Sequence, residues 1–188
     1  MSLLTVRFVS EEMAYTGEQL RSHWAFRKFD ILGDSAVAFI GRCDVRPEYM
    51  KDVEDLKASA RIYSERMLHF IVEHFDTDLE RAVLRQRLLI ALMAEELNGW
   101  LREHRISRKG SDLYDGPRKL TVSIASVSPV SALIHAGINI SSRNTPVPTR
   151  GLEDYGIDPC EFAEQILSAY AEECESARRA RCKVRGCE

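Results

Sequence analysis

The chain has 188 residues, of which 45% are hydrophobic and 29% charged, the proportions of an ordinary soluble globular domain. A folded chain of this length buries roughly 70% of the surface that its unfolded form exposes, so its core needs no metal or disulfide. The 26 Lys and Arg residues against 29 Asp and Glu residues leave a net charge of −3. This balance excludes a global positive field that would attract nucleic acid or anionic lipid.

No apolar run approaches the ~20 residues that a membrane span requires, and charged residues interrupt the first segment where a signal peptide needs an apolar stretch. The five cysteines show no C-x-x-C spacing, so reduced thiols are expected. The sequence therefore predicts one cytoplasmic domain over residues 1–188, without a membrane partner.

The first half of the chain alternates between strand and helix patterns. Residues 3–9 are rich in β-branched side chains and predict a strand, and residues 17–28 predict a helix. The apolar run 35–41 is typical of a buried strand that ends at a glycine. Residues 44–61 are charged and without a clean period, which indicates a long loop with one helical turn.

The remaining predicted elements lie after residue 66. Residues 67–75 can be drawn as helix or strand, and their alternation favours a strand. A long helix follows Thr77, which with Glu80 has the spacing of a capping box. Residues 118–128 and 132–141 predict a hairpin, and the final helix begins at the pair Asp158–Pro159. These elements together predict an α+β fold with a mixed, largely antiparallel sheet flanked by helices.

The hairpin carries polar side chains at alternate positions. Residues two apart share a face of a sheet, so His135, Gly137 and Asn139 are expected on one face, and Lys119, Thr121 and Ser123 are assigned to the same face. Gly137 would leave room for a ligand to approach the backbone. Two interpretations remain open: a lined pocket, with Ser123, His135, Gly137 and Asn139 as binding residues, or a sheet with one solvated face.

His69 and Glu73 share a face of the predicted strand 67–75 and would join this polar group from a neighbouring strand. Their expected roles are orientation of a ligand or proton transfer. The spacing of the segment H-F-I-V-E-H does not match a zinc motif, so no metal site is predicted.

Two short motifs resemble biotin protein ligases. The segment GSDLYDGPRKLTVSI matches their W-P-N-D-I/L-Y and K-[IL]-x-G-I-L motifs at Asp112 and Lys119, and HAGINIS matches the following G-I-G-I-N-V strand at Asn139. The whole chain more closely resembles an uncharacterised prokaryotic family with a domain of unknown function, associated with the biotin/lipoate ligase and class II synthetase fold. The phrases that carry this likeness are RCDV, MLHFIVEHF, RQRLL and KLTVSIASVSPVSALIHAGINI.

The resemblance implies roles for the matching residues. Lys119 would contact an acyl carboxylate and a nucleotide α-phosphate, Asp112 would lie near the nucleotide or the amine acceptor, and Asn139 would support the adjoining strand or ligand. ATP and Mg²⁺ are the cofactors that such a ligase would use.

One family motif is missing. Biotin ligases carry a G-R-G-R-x-G-R loop after the early strand, and only Gly41, Arg42 and Arg46 match it here. The acidic residues that follow would repel a phosphate unless a divalent cation intervenes, although a charged loop can also be merely solvated. They are Asp44, Glu48, Asp52, Glu54 and Asp55. This departure argues against biotin transfer.

Three classes of function stay open at this stage. The first is a ligase or an acyl or nucleotidyl transferase that acts on a small carboxylate or nucleotide, with Lys119, Asp112, His69 and Glu73 as catalytic residues. Gly41 and Arg42 would then add to the binding residues. The second is a non-catalytic module on the same fold that binds a ligand, or RNA through the basic C-terminus. The third is a subunit-interface protein, such as a homodimer.

Overall fold

The computed structural model describes residues 4–103 and 105–187. Its main element is a five-stranded sheet with the order β1-β2-β3-β8-β7. The strands are β1 (Thr5–Val9), β2 (Ser35–Asp44), β3 (Tyr63–His74), β7 (Thr121–Val127) and β8 (Ala132–Asn139). β1 runs parallel to β2, and every other neighbouring pair in this sheet is antiparallel. The strand predicted over 3–9 is thus found, with Leu3 outside the described residues.

Two long helices, α3 (Leu79–Trp100) and α4 (Pro159–Cys182), cover one face of the sheet. Because side chains alternate along a strand, Leu68, Phe70 and Val72 of β3 pack into the same core as these helices. Both helices carry buried apolar side chains along one side. The long apolar periods seen in the sequence therefore specify this layer of the fold.

The helix starts show which cap operates. Asp158 caps α4 as expected, since its carboxylate accepts the backbone N–H groups of Cys160 and Glu161. The capping box predicted at Thr77 is wrong, because the cap of α3 is Asp78, whose side chain accepts the N–H of Arg81. The cap lies one residue later than predicted, which is possible because Asp as well as Thr can cap a helix.

The opposite face of the sheet is covered by shorter elements. Helix α1 (Trp24–Phe29) and the apolar side chains of β2 and β3 form a second, smaller core there. The predicted loop 44–61 holds a 3₁₀ turn at Pro47–Tyr49 and the short helix α2 (Val53–Lys57). No helix among the described residues is long and apolar enough to cross a membrane.

A second sheet, absent from the sequence-based prediction, joins α3 to the hairpin. Its strands are β4 (Ile106–Lys109), β5 (Asp112–Asp115) and β6 (Arg118–Lys119), in that order. Leu120 separates β6 from β7, so Lys119 belongs to the small sheet and not to the hairpin. β7 and β8 form the predicted hairpin.

The face assigned to β7 is wrong. Ser123 pairs with Ala136 and Ile124 pairs with His135, and partners in register share a face. Thr121 and Ser123 therefore lie on the helix-covered side, opposite His135. The alternation of faces within each strand was predicted correctly. Which face of β7 lies beside His135 depends on the register between β7 and β8, and the sequence does not give that register.

Candidate functional site

A pocket of about 520 Å³ opens on the sheet face that α3 and α4 leave uncovered. This volume lies within the range of small-molecule sites in proteins. The sheet forms its floor, and segment 45–63, the small sheet and residues 145–149 form its walls. Among its lining residues are Tyr15, Leu20, Tyr49, Met50, Lys51, Asp52, Asp55, Arg61, Tyr63, Met67, Asp112, Lys119, Val122, Ser123, Ile124, His135 and Asn139.

Two of the predicted catalytic residues meet at the wall of this pocket. The ammonium nitrogen of Lys119 lies 2.9 Å from Oδ2 of Asp112. Burial raises the pKa of the Asp112 carboxyl, the ammonium of Lys119 opposes that rise, and the carboxylate of Asp55 adds to it. The strands β5 and β6 fix this ion pair, because Tyr114 pairs with Lys119 in their register.

The floor contains a buried pair of histidines. Nδ1 of His69 lies 3.1 Å from Nε2 of His135, and Nε2 of His69 lies 3.3 Å from the carbonyl oxygen of Gly41. Register explains the contact, because His69 of β3 faces Gly137 of β8, two residues from His135. Burial lowers the pKa of His69 to about 3 and lowers that of His135 well below its ordinary value. Both rings are therefore neutral at physiological pH.

Tyr15 covers this histidine pair. Its ring stacks on that of His135 with centroids 3.7 Å apart and 13° between the planes. Burial raises the pKa of Tyr15 well above its ordinary value, so the phenol stays neutral. Tyr15 lies in a segment without apolar period, so no sequence pattern indicated it. Its backbone joins the sheet through an isolated bridge to Cys43.

The predicted site residue Glu73 lies outside the pocket. Its carboxylate accepts the backbone N–H of His23 at 2.8 and 3.0 Å and the hydroxyl of Ser131 at 2.7 Å. Glu73 does share a face with His69, as predicted, but it lies four residues further along β3, opposite Leu133. Glu73 is therefore not among the lining residues of this pocket, and its carboxylate already has protein partners.

Ser123 touches the pocket, but its hydroxyl is engaged elsewhere. It donates to the carbonyl of Ser111 at 2.7 Å and accepts from Nε2 of Gln86 of α3 at 2.7 Å. Thr121 likewise uses its hydroxyl to accept the backbone N–H of Leu113. These bonds attach the hairpin to α3 and to the small sheet, so Ser123 acts here as a structural residue.

The two glycines predicted as binding residues make room for protein atoms. A Cβ at Gly137 would clash with the Sδ atom of Met67, so Met67 fills the space expected for a ligand. A Cβ at Gly41 would clash with the carbonyl oxygen of Met13, so Gly41 makes room for a backbone segment that passes over β2. Neither glycine offers its backbone to a ligand.

Arg42 lies outside the pocket as well. Its guanidinium is exposed and pairs with Asp44 at 2.8 Å, beside the ring of Tyr63. Asp52 lines the pocket, and it also caps α2 by accepting the N–H groups of Glu54 and Asp55. Within residues 4–103 and 105–187, no group of three or more His, Cys, Asp or Glu side chains is placed to hold a metal ion.

The fold defines the structural class of the protein. Biotin protein ligase from Aquifex aeolicus superposes on 91% of this chain and 68% of its own, with a TM-score of 0.59 and 15% identity. The candidate lipoate protein ligase Ta0514 from T. acidophilum, with bound lipoic acid, gives a TM-score of 0.58 and 15% identity over 91% of this chain and 86% of its own. The protein thus has the fold of the biotin/lipoate ligase domains, as the sequence predicted.

The family itself is set by closer relatives. The chain belongs to the family described as domain of unknown function DUF366, whose model matches residues 4–185. The uncharacterized protein MJ0805 of Methanocaldococcus jannaschii is 40% identical over 183 residues, covering 94% of this chain and 82% of its own. A protein of unknown function from Pyrococcus horikoshi is 42% identical with a TM-score of 0.93, over 98% of this chain and 100% of its own. The resemblance drawn from the sequence motifs is confirmed.

Proposed function

We propose that this protein is an enzyme of the ligase or acyltransferase kind that binds a small carboxylic acid, or its acyl derivative, in the 520 Å³ pocket. The observation that carries the proposal is Lys119, which lines the pocket and is held in place by Asp112 at 2.9 Å. The carboxyl group of the substrate lies at Lys119, and its remainder lies over the sheet.

The chemistry of an ammonium group suits this position. It is a compact cation that attracts the anionic oxygen that develops when a carboxyl carbon is attacked. Lys119 is about two-thirds buried in its side chain, so its charge is less screened than that of a surface lysine. Asp112 holds the ammonium in place, and the ammonium has further N–H donors that can bind a substrate oxygen.

The residues around Gly41 do not fit the phosphates of a nucleotide. Gly41 is packed under the backbone of Met13, and Arg42 is paired with Asp44. Asp52 and Asp55 line the same pocket as Lys51 and Arg61, so this wall offers no excess of positive charge for several phosphate groups. Acyl transfer from an already activated donor, such as a thioester, is therefore favoured over activation of the acid by ATP.

Two assays test the proposal. The first measures hydroxamate formation from octanoyl and shorter acyl thioesters with hydroxylamine as the acceptor, and the second measures pyrophosphate release with ATP and the free acid. We expect Lys119→Ala to lower transfer by roughly 10² to 10³, the usual loss when one preorganised charge is removed. Lys119→Arg does not restore it, because a planar guanidinium cannot replace the point charge. Lys109→Ala, on the exposed β4, is the control and keeps full activity.

Three results would contradict this scheme. Transfer that survives Lys119→Ala would remove Lys119 from the mechanism. Biotin-dependent pyrophosphate release by the wild type would contradict our interpretation of segment 41–55. An absence of both transfer and pyrophosphate release would leave the protein without the proposed activity.

A second candidate function is a non-catalytic binding module on the same fold. It is favoured by the charge balance at the pocket, where Asp112 already neutralises Lys119. Such a module binds an acid without turnover, and a ligand at a hundred times its Kd would stabilise it by about 2.7 kcal/mol. Short RNA belongs in the same thermal-shift panel, because the end of α4 exposes Arg178, Arg179 and Arg181.

A further inference from the structure

Two arginines meet on one carboxylate at the edge of the small sheet. Nε of Arg105 lies 3.3 Å and Nε of Arg150 lies 3.4 Å from Oδ2 of Asp115. The hydroxyl of Tyr155 donates to the same oxygen at 2.9 Å. A single carboxylate oxygen thus holds two guanidinium groups, which places them side by side.

The ring of Tyr155 orients both guanidinium groups. The central guanidinium carbons of Arg105 and Arg150 lie 5.0 and 5.8 Å from its centroid, within the range of cation–π contacts. Burial raises the pKa of Tyr155, and the hydrogen bond to Asp115 raises it further, so the phenol keeps its proton for this bond. A guanidinium that is already held in position loses less rotamer freedom when it binds an anion.

The cluster carries more positive than negative charge. Asp115 supplies one carboxylate for the two paired arginines, and Arg118, its partner in the register of β5 and β6, is exposed beside it. The acidic residues that precede Tyr155 are engaged elsewhere. Asp154 accepts a backbone N–H within its own turn, and Glu153 pairs with Arg66 at 3.7 Å. The guanidinium groups therefore outnumber the carboxylate that is available to them.

The terminal nitrogens of the paired arginines can still bind an external acceptor. Within residues 4–103 and 105–187, neither the Arg105 nor the Arg150 guanidinium donates a hydrogen bond, and Asp115 is the carboxylate with which each forms an ion pair. Because Nε of each group faces Asp115, the edge formed by Nη1 and Nη2 points away from it. Such an edge matches two oxygens of a carboxylate or a phosphate.

We propose that Arg105 and Arg150 bind the phosphate group of a small phosphate monoester, at a site separate from the pocket. Such a phosphate carries close to two negative charges at neutral pH, which suits a cluster of three guanidinium groups and one carboxylate. It also offers three terminal oxygens, which two guanidinium edges can share. A carboxylate or a phosphodiester carries a single negative charge and matches this excess less well. This inference does not depend on the proposed function.

The site lies behind the pocket wall that carries Lys119. Asp115 and Arg118 face away from Asp112 and Lys119, because residues an odd number of positions apart on a strand point to opposite sides. None of the three arginines of this cluster lines the pocket. The backbone N–H of Arg150 donates to the carbonyl of Lys119 at 3.1 Å, so the two sites share a wall. A phosphate at Arg150 and an acid at Lys119 can therefore be bound at the same time.

Calorimetry with small anions tests this site. We expect glycerol 2-phosphate to bind the wild type with a Kd of about 1 mM or tighter, and at least about tenfold more tightly than dimethyl phosphate or acetate. Arg105→Gln and Arg150→Gln each lower this affinity by at least about tenfold, because each removes charge-assisted hydrogen bonds. Arg150→Lys does not restore it, because an ammonium lacks the two-nitrogen edge. Arg87→Gln, at an exposed arginine of α3, removes the same charge and leaves the affinity unchanged.

A second measurement needs no variant. In ¹H–¹⁵N spectra, the Nε–H resonances of Arg105 and Arg150 should shift saturably with glycerol 2-phosphate, and an equal concentration of octanoate should not reverse the shift. No saturable shift at millimolar concentration, equal affinity for the three anions, or full affinity in both glutamine variants overturns the inference. Reversal by octanoate would place the phosphate in the pocket and overturn it as well. Tighter binding of a short RNA, lost in the same variants, would replace the monoester with a nucleic-acid backbone.

Discussion

The carboxylate of Glu73 joins two distant parts of the chain at one end of β3. It accepts the backbone N–H of His23, just before α1, and the hydroxyl of Ser131, in the turn between β7 and β8. Hydrogen bonds to a charged group contribute about 1.5–3 kcal/mol each when they are buried. This residue therefore serves stability, although it shares its strand face with His69.

Glu73→Ala should lower the free energy of unfolding by about 2–3 kcal/mol, because it leaves two buried donors without an acceptor. Urea unfolding measures this loss. Ser131→Ala, which removes a single donor, is the graded control and should cost about 1 kcal/mol. Binding of the carboxylate ligand should stay unchanged in both variants. If Glu73→Ala binds the ligand more weakly but is as stable as the wild type, Glu73 belongs to the binding site.

The buried histidines predict a pH dependence of stability. Burial lowers the pKa of His69 to about 3 and that of His135 well below its ordinary value. In the unfolded chain both rings take up a proton near pH 6.5, so the unfolded state binds more protons below that pH. The stability that comes from the neutral pair is complete above about pH 6.5 and is lost as pH falls toward the folded pKa values.

Urea unfolding between pH 7.5 and 5 measures this effect. The folding equilibrium constant should fall by up to about tenfold per pH unit for each of the two histidines. The double variant His69→Leu, His135→Phe should have a flatter profile over the same range. Burial raises the pKa of the Asp34 carboxyl, but its hydrogen bonds with His74 and the N–H of Phe75 bring that pKa below the ordinary value, so this group acts only at more acid pH. Equal slopes in wild type and double variant would contradict the neutral assignment.

At the scale of elements, two glycines on the strands that flank β3 differ in what surrounds them. At Gly41 of β2 the obstacle to a Cβ is the backbone carbonyl of Met13, and at Gly137 of β8 it is the end of the flexible Met67 side chain. A backbone segment cannot move without breaking its hydrogen bonds to β2, such as Met13 N–H to Ile40 O at 2.9 Å. The thioether end of Met67, by contrast, can change its side-chain rotamer without breaking a backbone hydrogen bond.

Gly41→Ala should therefore destabilise the protein by about 3 kcal/mol or more, or prevent folding. Gly137→Ala should cost less than about 1 kcal/mol, because Met67 yields. Thermal unfolding of the two variants side by side checks the difference. Comparable losses at the two positions would show that Met67 is as rigid as a main-chain segment.

The elements that the sequence predicted best are those with long, regular patterns. The hairpin and the two long helices follow from such periods, and the Asp158–Pro159 start of α4 was correct. The small sheet was missed, because strands of two to four residues carry no period. The faces of β7 were misassigned, because the register between β7 and β8, which pairs Ile124 and not Ser123 with His135, cannot be read from the sequence.

At the scale of the whole molecule, the pocket draws on parts of the chain that are far apart in sequence. The sequence motifs led to Lys119, Asp112, His135 and Asn139, and all four line the pocket. Tyr15 could not be predicted from the sequence, because only the tertiary fold brings its ring onto that of His135. The histidine pair depended on the register of β3 against β8, which no local pattern supplies. The longer strands were thus predictable from the sequence, but the contacts between side chains distant in sequence were not.

The position of β3 at the centre of the sheet has a consequence for how the protein is made. β3 emerges from the ribosome with β2 already available on one edge, whereas β8, its partner on the other edge, is synthesised much later. In the interval the growing chain presents an unpaired, strongly apolar strand edge, which is the kind of surface that recruits chaperones or a second nascent chain. Synthesis of residues 132–139 closes that edge and delivers His135 and Asn139 in the same step. The same strand therefore closes the exposed edge of β3 and completes the floor of the pocket, before residues 145–149 add its last wall.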